Sequence, residues 1–236
     1  MDGNRRKQDV LKTIVETFVH TGQPVGSLQV VEQLPYEVSS ATVRNDMTEL
    51  TGLDLLSQPH TSAGRIPTDK GYRNYVKVIA EERKELSRKQ QVALESHLHK
   101  LRNLQDKFRQ AARMLAEMSG NIGLLVDDAQ NVYVAGLGNV VKLPEFSNEK
   151  FRNNLMEVLD QPELLAKQLR QISDHREIKV LIGQDNPRFD QTTVVVSQFG
   201  PKGRKVISII GPTRMDYNKA LPLVNHMKKI LNDLQS

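Results

Sequence analysis

The sequence predicts an α+β chain in which helices come first and an antiparallel sheet comes last. Residues 1–75 contain apolar residues at helical spacing, separated by turn residues. Residues 76–118 contain neither proline nor glycine and are rich in Lys, Arg, Glu, Gln and Leu. Residues 119–236 alternate β-branched runs with helical patterns. We therefore expect three parts: an N-terminal domain, a long central helix and a C-terminal domain.

Composition excludes several classes of protein. The 236 residues include no cysteine, which excludes disulfides, cysteine-based zinc sites and thiol nucleophiles. No apolar run approaches the roughly 18 residues of a membrane span, and the N-terminus MDGNRRKQD lacks the apolar core of a signal peptide, so we expect a soluble cytoplasmic protein. The net charge is +5, yet residues 1–80 carry nine basic and nine acidic side chains. Bulk charge therefore gives little evidence for a nucleic-acid partner.

Three helices are predicted at the N-terminus. The first covers about 6–20, and a second begins with Ser27 as its cap and ends before Pro35. Ser39 or Ser40 caps the third, which runs to about residue 50. Its apolar residues recur at i, i+4 and i+7 and are expected to face the core: Val43, Met47 and Leu50.

A short β-hairpin is predicted next. Residues 53–58 form one strand, 59–64 a polar loop, and Arg65 begins the return strand. Thr68 and Asp69 then cap a long helix that starts near residue 71. Three helices followed by a two-stranded wing is the element order of a winged helix-turn-helix.

The outward face of the third helix has the chemistry of DNA recognition. Arginine pairs with guanine, asparagine pairs with adenine, and hydroxyl groups bind phosphates. The candidate DNA-binding residues on this helix are Ser39, Ser40, Thr42, Arg44, Asn45 and Thr48, and those on the wing are Ser62, Gly64 and Arg65. The alternative is a solvent-exposed helix face beside an ordinary turn.

The central segment has a seven-residue apolar repeat over 94–118. Such a repeat is typical of a helix that pairs with a copy of itself. The candidate dimerisation residues are Leu94, Leu101, Leu104, Phe108 and Leu115. The alternative is a stripe that is buried against the chain's own C-terminal domain.

The C-terminal domain is predicted to contain five strands and three helices. The strands cover 121–126, 132–141, 178–182, 192–198 and 205–210, and the helices cover 147–159, 162–173 and 216–234. The run 211–217 favours a rigid turn in which Arg214 pairs internally, with an anion site as the alternative.

Five strings resemble the heat-inducible transcription repressor family HrcA: QPVGS (23–27), SSATVRNDM (39–47), SAGRIPT (62–68), KGYRNY (70–75) and IGPTRMDY (210–217). The resemblance implies a dimeric repressor of chaperone operons that binds an inverted-repeat operator on double-stranded DNA. It also implies help from a GroEL-type chaperonin and a GAF-like C-terminal domain. Family members are longer because of an inserted dimerisation subdomain. This chain lacks it, so we expect a reduced GAF-like domain and a dimer formed through the heptads.

Catalysis is not expected. The sequence contains no P-loop, G-x-G-x-x-G, H-E-x-x-H or G-x-S-x-G string, and its histidines do not cluster at ligand spacing. We therefore predict no catalytic residue, no metal site and no cofactor. Two alternatives stay open beside the heat-inducible repressor. One is a winged-helix regulator that responds to a small-molecule effector in the C-terminal domain, and the other is a winged helix that binds protein.

Overall fold

The computed structural model describes residues 3–185, 191–201 and 203–234. The chain divides into two compact units between Glu82 and Arg83. Residues 76–82 therefore belong to the first unit, and the rest of the predicted central segment belongs to the second. Each unit is described by itself.

The first unit has the predicted order of helices and wing. Its helices and strands are α1 (Gly3–Thr21), α2 (Ser27–Gln33), α3 (Ser40–Gly52), β1 (Leu56–Ser57), β2 (Ile66–Pro67) and α4 (Asp69–Glu81). β1 and β2 pair antiparallel, as expected for a wing. Ser39 caps α3 by accepting from the backbone N–H of Thr42, and Thr68 caps α4 by accepting from that of Gly71. The predicted winged helix-turn-helix is confirmed.

The core of this unit lies around α1, which packs against both α3 and α4, and it contains buried aliphatic and aromatic side chains. The three predicted core residues of α3 are all buried, and a fourth buried residue, Asp46, stands among them. The buried stripe of α4 includes the rings of Tyr72 and Tyr75. This packing fixes which side of α3 faces outward.

The second unit is built around a five-stranded antiparallel sheet. Its strands are β3 (Ile122–Val126), β4 (Val132–Ala135), β5 (Lys179–Ile182), β6 (Thr192–Phe199) and β7 (Lys205–Pro212), arranged in the order β4-β3-β7-β6-β5. Its helices are α5 (Arg88–His99), α6 (Leu104–Ser119), α7 (Leu137–Val141), α8 (Glu149–Asp160), α9 (Pro162–Ile172) and α10 (Tyr217–Asp233). The predicted α+β class is confirmed.

Helices cover both faces of this sheet. On one face, α8 and α9 bury Phe151, Leu155 and Leu169 against alternate residues of β3, β6 and β7. On the other face, Phe108 of α6 contacts the rings of Tyr133 and Phe199. β6 and β7 are buried along almost their whole length because side chains of both parities are covered.

The single helix predicted over 76–118 is wrong. Residues 82–87 and 100–103 are not helical, so the heptad repeat does not lie on one helix. Polar caps produce the two new starts. Ser87 and the side chain of Gln90 form a capping box at α5, and Asn103 accepts from the backbone N–H of Asp106 at α6.

The predicted dimerisation stripe changes accordingly. Leu94, Phe108 and Leu115 are buried within their own chain, Leu101 is half-buried and Leu104 is exposed. A helix that buries one stripe against its own sheet also repeats near every seventh residue, since two turns of helix contain about seven residues. The structure therefore corrects the self-pairing interpretation for the three buried side chains and favours the alternative of burial within the C-terminal unit.

The strand predicted over 132–141 is half as long as expected. Gly136 adopts a positive φ of 90°, which ends β4 and begins α7. The valines that suggested a longer strand belong to α7, where Val140 is buried and Val141 is exposed.

Gly123→Ala is expected to destabilise the second unit. A Cβ at Gly123 would lie 2.2 Å from the carbonyl oxygen of Ala112 and 2.8 Å from Cβ of Leu115. Overpacking of this kind costs about 1–3 kcal/mol. Gly138→Ala is the matched control, because a Cβ there meets nothing within 4 Å and removes chain entropy only from the unfolded state. Denaturant unfolding followed by circular dichroism should show a lower midpoint for Gly123→Ala alone, and equal midpoints would contradict this packing.

Candidate DNA-binding surface

A buried ion pair orients α3. The carboxylate of Asp46 is 2% exposed and accepts two hydrogen bonds from Arg6 of α1, at 2.7 Å from Nε and 3.0 Å from Nη2. The hydrogen bond to Asp46 also raises the pKa of Arg6. A buried carboxylate is stable only when it is paired, so this two-pronged contact holds α3 in one rotation about its axis.

That rotation presents the predicted recognition residues on the opposite side. Arg44, Asn45 and Thr48 are exposed, and Ser40 and Thr42 are half-buried at the N-terminal turn. Thr48 donates its hydroxyl hydrogen to the carbonyl of Arg44, 3.0 Å away. Its oxygen lone pairs therefore face solvent and can still accept a hydrogen bond. Ser39 is exposed, but its hydroxyl oxygen is engaged as the cap of α3.

The wing loop is held by its own backbone and by one amide. The Nε2 group of Gln58 donates to the carbonyls of Thr61 (2.9 Å) and Ala63 (3.0 Å). Ser62 stands exposed at the tip of this loop. The structure thus brings Ser62 out to solvent on an ordered loop, which suits contact with a DNA backbone.

Gly64 has a structural role. A Cβ at this position would lie 2.4 Å from the backbone carbonyl of Val25, because the base of the wing pairs with the segment before α2. Arg65 and Val25 exchange two backbone hydrogen bonds of 2.9 Å. The candidate role of Gly64 in DNA binding is therefore better described as allowing the wing to approach the helix-turn-helix closely.

A groove separates the wing from α3. Its polar lining consists of Ser27, Arg44, Gln58, Thr61, Ser62 and Arg65, and it includes no acidic side chain. The structure therefore brings Arg44 of the helix and Arg65 of the wing to the same groove. Ser27 and Gln58 were not among the predicted DNA-binding residues, because only the conformation of the wing loop brings them to this groove.

Tyr36 fixes the turn between α2 and α3. Its hydroxyl donates to Asp9 of α1 at 3.0 Å. Burial, followed by this hydrogen bond to a carboxylate, raises the pKa of Tyr36 to about 12. α1 therefore contacts the turn through Asp9 and contacts α3 through Arg6.

The candidate anion site of the C-terminal unit is an internal ion pair. Arg214 contacts the carboxylate of Glu145 through Nε and through Nη2, the latter at 3.1 Å. Asp216 caps α10, and the hydroxyl of Tyr217 donates to the carbonyl of Thr213. The rigid-turn interpretation therefore describes this segment.

Within 3–185, 191–201 and 203–234, no group of three or more His, Cys, Asp or Glu side chains is placed to hold a metal ion. Over the same residues, no helix has the length and apolar character needed to cross a membrane.

Both units match models of a single protein family. Residues 4–81 match "Winged helix-turn-helix transcription repressor, HrcA DNA-binding", and residues 74–221 match "HrcA protein C terminal domain". The chain belongs to the HrcA family. This confirms the resemblance carried by the five strings, and HrcA is a family of transcriptional repressors rather than of enzymes.

Relatives in the HrcA family are longer than this chain. The heat-inducible transcription repressor HrcA of Thermodesulfovibrio yellowstonii is 26% identical over 97% of each chain, and that of Natranaerobius thermophilus is 27% identical over 99% of this chain and 96% of its own. The first alignment spans 336 positions against the 236 residues here, so at least 100 positions hold no residue of this chain. This agrees with the expected absence of an inserted segment.

Shorter alignments reach higher identity. The HrcA repressor of Arthrobacter sp. strain FB24 is 43% identical over 51% of this chain and 35% of its own length.

A solved structure described as a hypothetical protein at 2.2 Å resolution superposes with a TM-score of 0.75 at 21% identity, covering 97% of this chain and 98% of that one. The superposition shows that the two proteins share a fold.

Proposed function

We propose that this chain is a sequence-specific DNA-binding repressor of heat-shock (chaperone) operons, which acts in the cytoplasm on an inverted-repeat operator. The exposed face of α3 reads base edges through Arg44 and Asn45. Ser39, Ser40, Thr42 and Thr48 are neighbours of the DNA backbone on the same helix. Ser62 and Arg65 extend the contact on the wing, with Gly64 supporting their position.

The observation that carries this proposal is the division of α3 into two faces. The inward face is fixed by Val43, Met47, Leu50 and the Asp46–Arg6 pair. The outward face exposes a guanidinium and an amide one residue apart, the two groups that pair bidentately with guanine and adenine. Family membership and the groove without acidic side chains support the same surface.

Replacing Arg44 and Asn45 together by alanine is expected to abolish sequence preference. The probe is a duplex selected on the wild-type protein from a randomised library, compared with a random-sequence duplex. Base-edge pairs are worth about 1–3 kcal/mol each, so the selected duplex should bind at least tenfold more weakly to the double variant. Binding to the random duplex should change much less, since it depends on phosphates. Fluorescence anisotropy measures both affinities.

Arg88→Ala provides the control for this experiment, because Arg88 is an exposed arginine of the second unit and its loss removes the same charge. Unchanged discrimination in the double variant would refute the assignment of these two residues. A wild-type protein that selects no duplex at all would instead favour the protein-binding alternative.

We further propose that the repressor acts as a homodimer and that heat relieves repression by separating it. A two-fold protein suits an inverted-repeat site because each half-site then meets the same surface. DNA affinity falls with the population of dimer. The printed names of the relatives, heat-inducible repressors, support the thermal part of this proposal. Leu104, at 38% exposure, is the most exposed of the predicted dimerisation residues.

Sedimentation with the selected duplex at rising temperature checks the dimer and the heat response together. Two chains should sediment with each duplex at low temperature, and free chains and free duplex should appear together as the second unit unfolds. One chain per duplex would contradict the dimer, and constant binding through the unfolding transition would contradict thermal control.

A GroEL-type chaperonin is the proposed partner that keeps the repressor active, and an operator affinity unchanged by added chaperonin would exclude that role.

A further inference from the structure

We propose that Thr51 is a positioning residue that holds Arg65 against a phosphate of the DNA backbone in the groove between α3 and the wing. The inference rests on the proposed DNA-binding function and adds a residue outside the recognition face. Thr51 lies near the C-terminal end of α3 and is half-buried. We propose no direct contact between Thr51 and DNA, because Thr51 acts through Arg65.

The hydrogen-bond pattern defines the direction of the contact. The hydroxyl of Thr51 donates to the carbonyl of Met47, 2.8 Å away within α3. Its oxygen then has lone pairs left to accept from Nε of Arg65 at 3.1 Å. The hydroxyl of Thr51 thereby links the guanidinium of Arg65, on the wing, to the backbone of α3.

The backbone of Arg65 is fixed as well. Its N–H and carbonyl both pair with Val25, and the absence of a side chain at Gly64 permits that close approach. A long side chain held at its backbone and at Nε loses little conformational entropy when it binds a ligand. The remaining guanidinium nitrogens have no hydrogen-bond partner among the described residues, which leaves their N–H groups available to an anion.

The surroundings favour a phosphate over a base edge. Arg65 is half-buried at the base of the wing, whereas Arg44 and Asn45 project from the exposed face of α3. The groove that Arg65 lines also presents the hydroxyls of Ser27, Thr61 and Ser62 and includes no carboxylate. Hydroxyl groups and arginine together are the usual donors to DNA phosphate oxygens.

The test compares Thr51→Val with Thr51→Ser, using the selected duplex and the random-sequence duplex at several salt concentrations. Thr51→Val keeps the shape but removes the acceptor for Arg65. We expect affinity for both duplexes to fall about three- to tenfold, since the arginine must then be ordered on binding. Thr51→Ser retains the hydroxyl and should bind within about twofold of wild type. Thr21→Val is the control, because Thr21 makes the same kind of bond, to the carbonyl of Thr17, on α1.

Salt dependence separates positioning from contact. Arg65→Gln should reduce the slope of log affinity against log salt by about 0.9, the value for one lost phosphate contact. Thr51→Val retains the charge, so its slope should equal that of wild type. Circular dichroism melting checks that each variant is folded.

Three results would overturn this proposal and leave DNA binding itself standing. Thr51→Val binding like wild type would remove the positioning role, and Thr51→Ser binding as weakly as Thr51→Val would assign the loss to packing instead. An unchanged slope for Arg65→Gln would remove the phosphate contact. A wild-type protein that binds neither duplex would overturn the proposed function itself and this inference with it.

Discussion

The pairing of Asp46 with Arg6 is the constraint on which the DNA-binding surface depends. A carboxylate on the inward face of α3 would be costly to bury alone, and the guanidinium of α1 compensates it with two hydrogen bonds. Because α1 also binds Tyr36 through Asp9, the helix and the preceding turn are fixed by one scaffold helix. The proposed recognition residues are therefore oriented by contacts on the opposite side of α3, away from the proposed DNA-binding face.

The wing is held by contacts of its own, one of which reaches α3. Val25 pairs with Arg65 through the backbone, Gln58 organises the loop, and Thr51 joins the guanidinium to α3. Such preorganisation reduces the entropy lost on binding, so a surface with modest charge can still bind a polyanion tightly. Although the charges of this segment are balanced overall, two of its arginines, Arg44 and Arg65, line one groove whose lining includes no acidic side chain.

Local sequence signals predicted most of the fold but did not determine long-range packing. Serine and threonine caps, the apolar spacing of α3 and the strands β6 and β7 were all evident from neighbouring residues. The heptads misled because the same spacing serves a helix that is buried on its own sheet, although Ser87 and Asn103 carried cap signals within that segment. The roles of Asp46, Thr51 and Gly64 depend on partners 14 or more residues away, so composition and spacing could not reveal them.

Hydrogen exchange of the wild-type protein with and without its selected duplex tests the central claim most directly. Backbone amides on ordered elements exchange more slowly when a ligand covers or stabilises them. DNA is expected to slow exchange at residues 39–48, at the start of α3, and at residues 58–65 of the wing, with little change in β6 and β7 of the second unit. Protection confined to the second unit, or none in α3, would contradict a DNA-binding surface built on α3 and the wing.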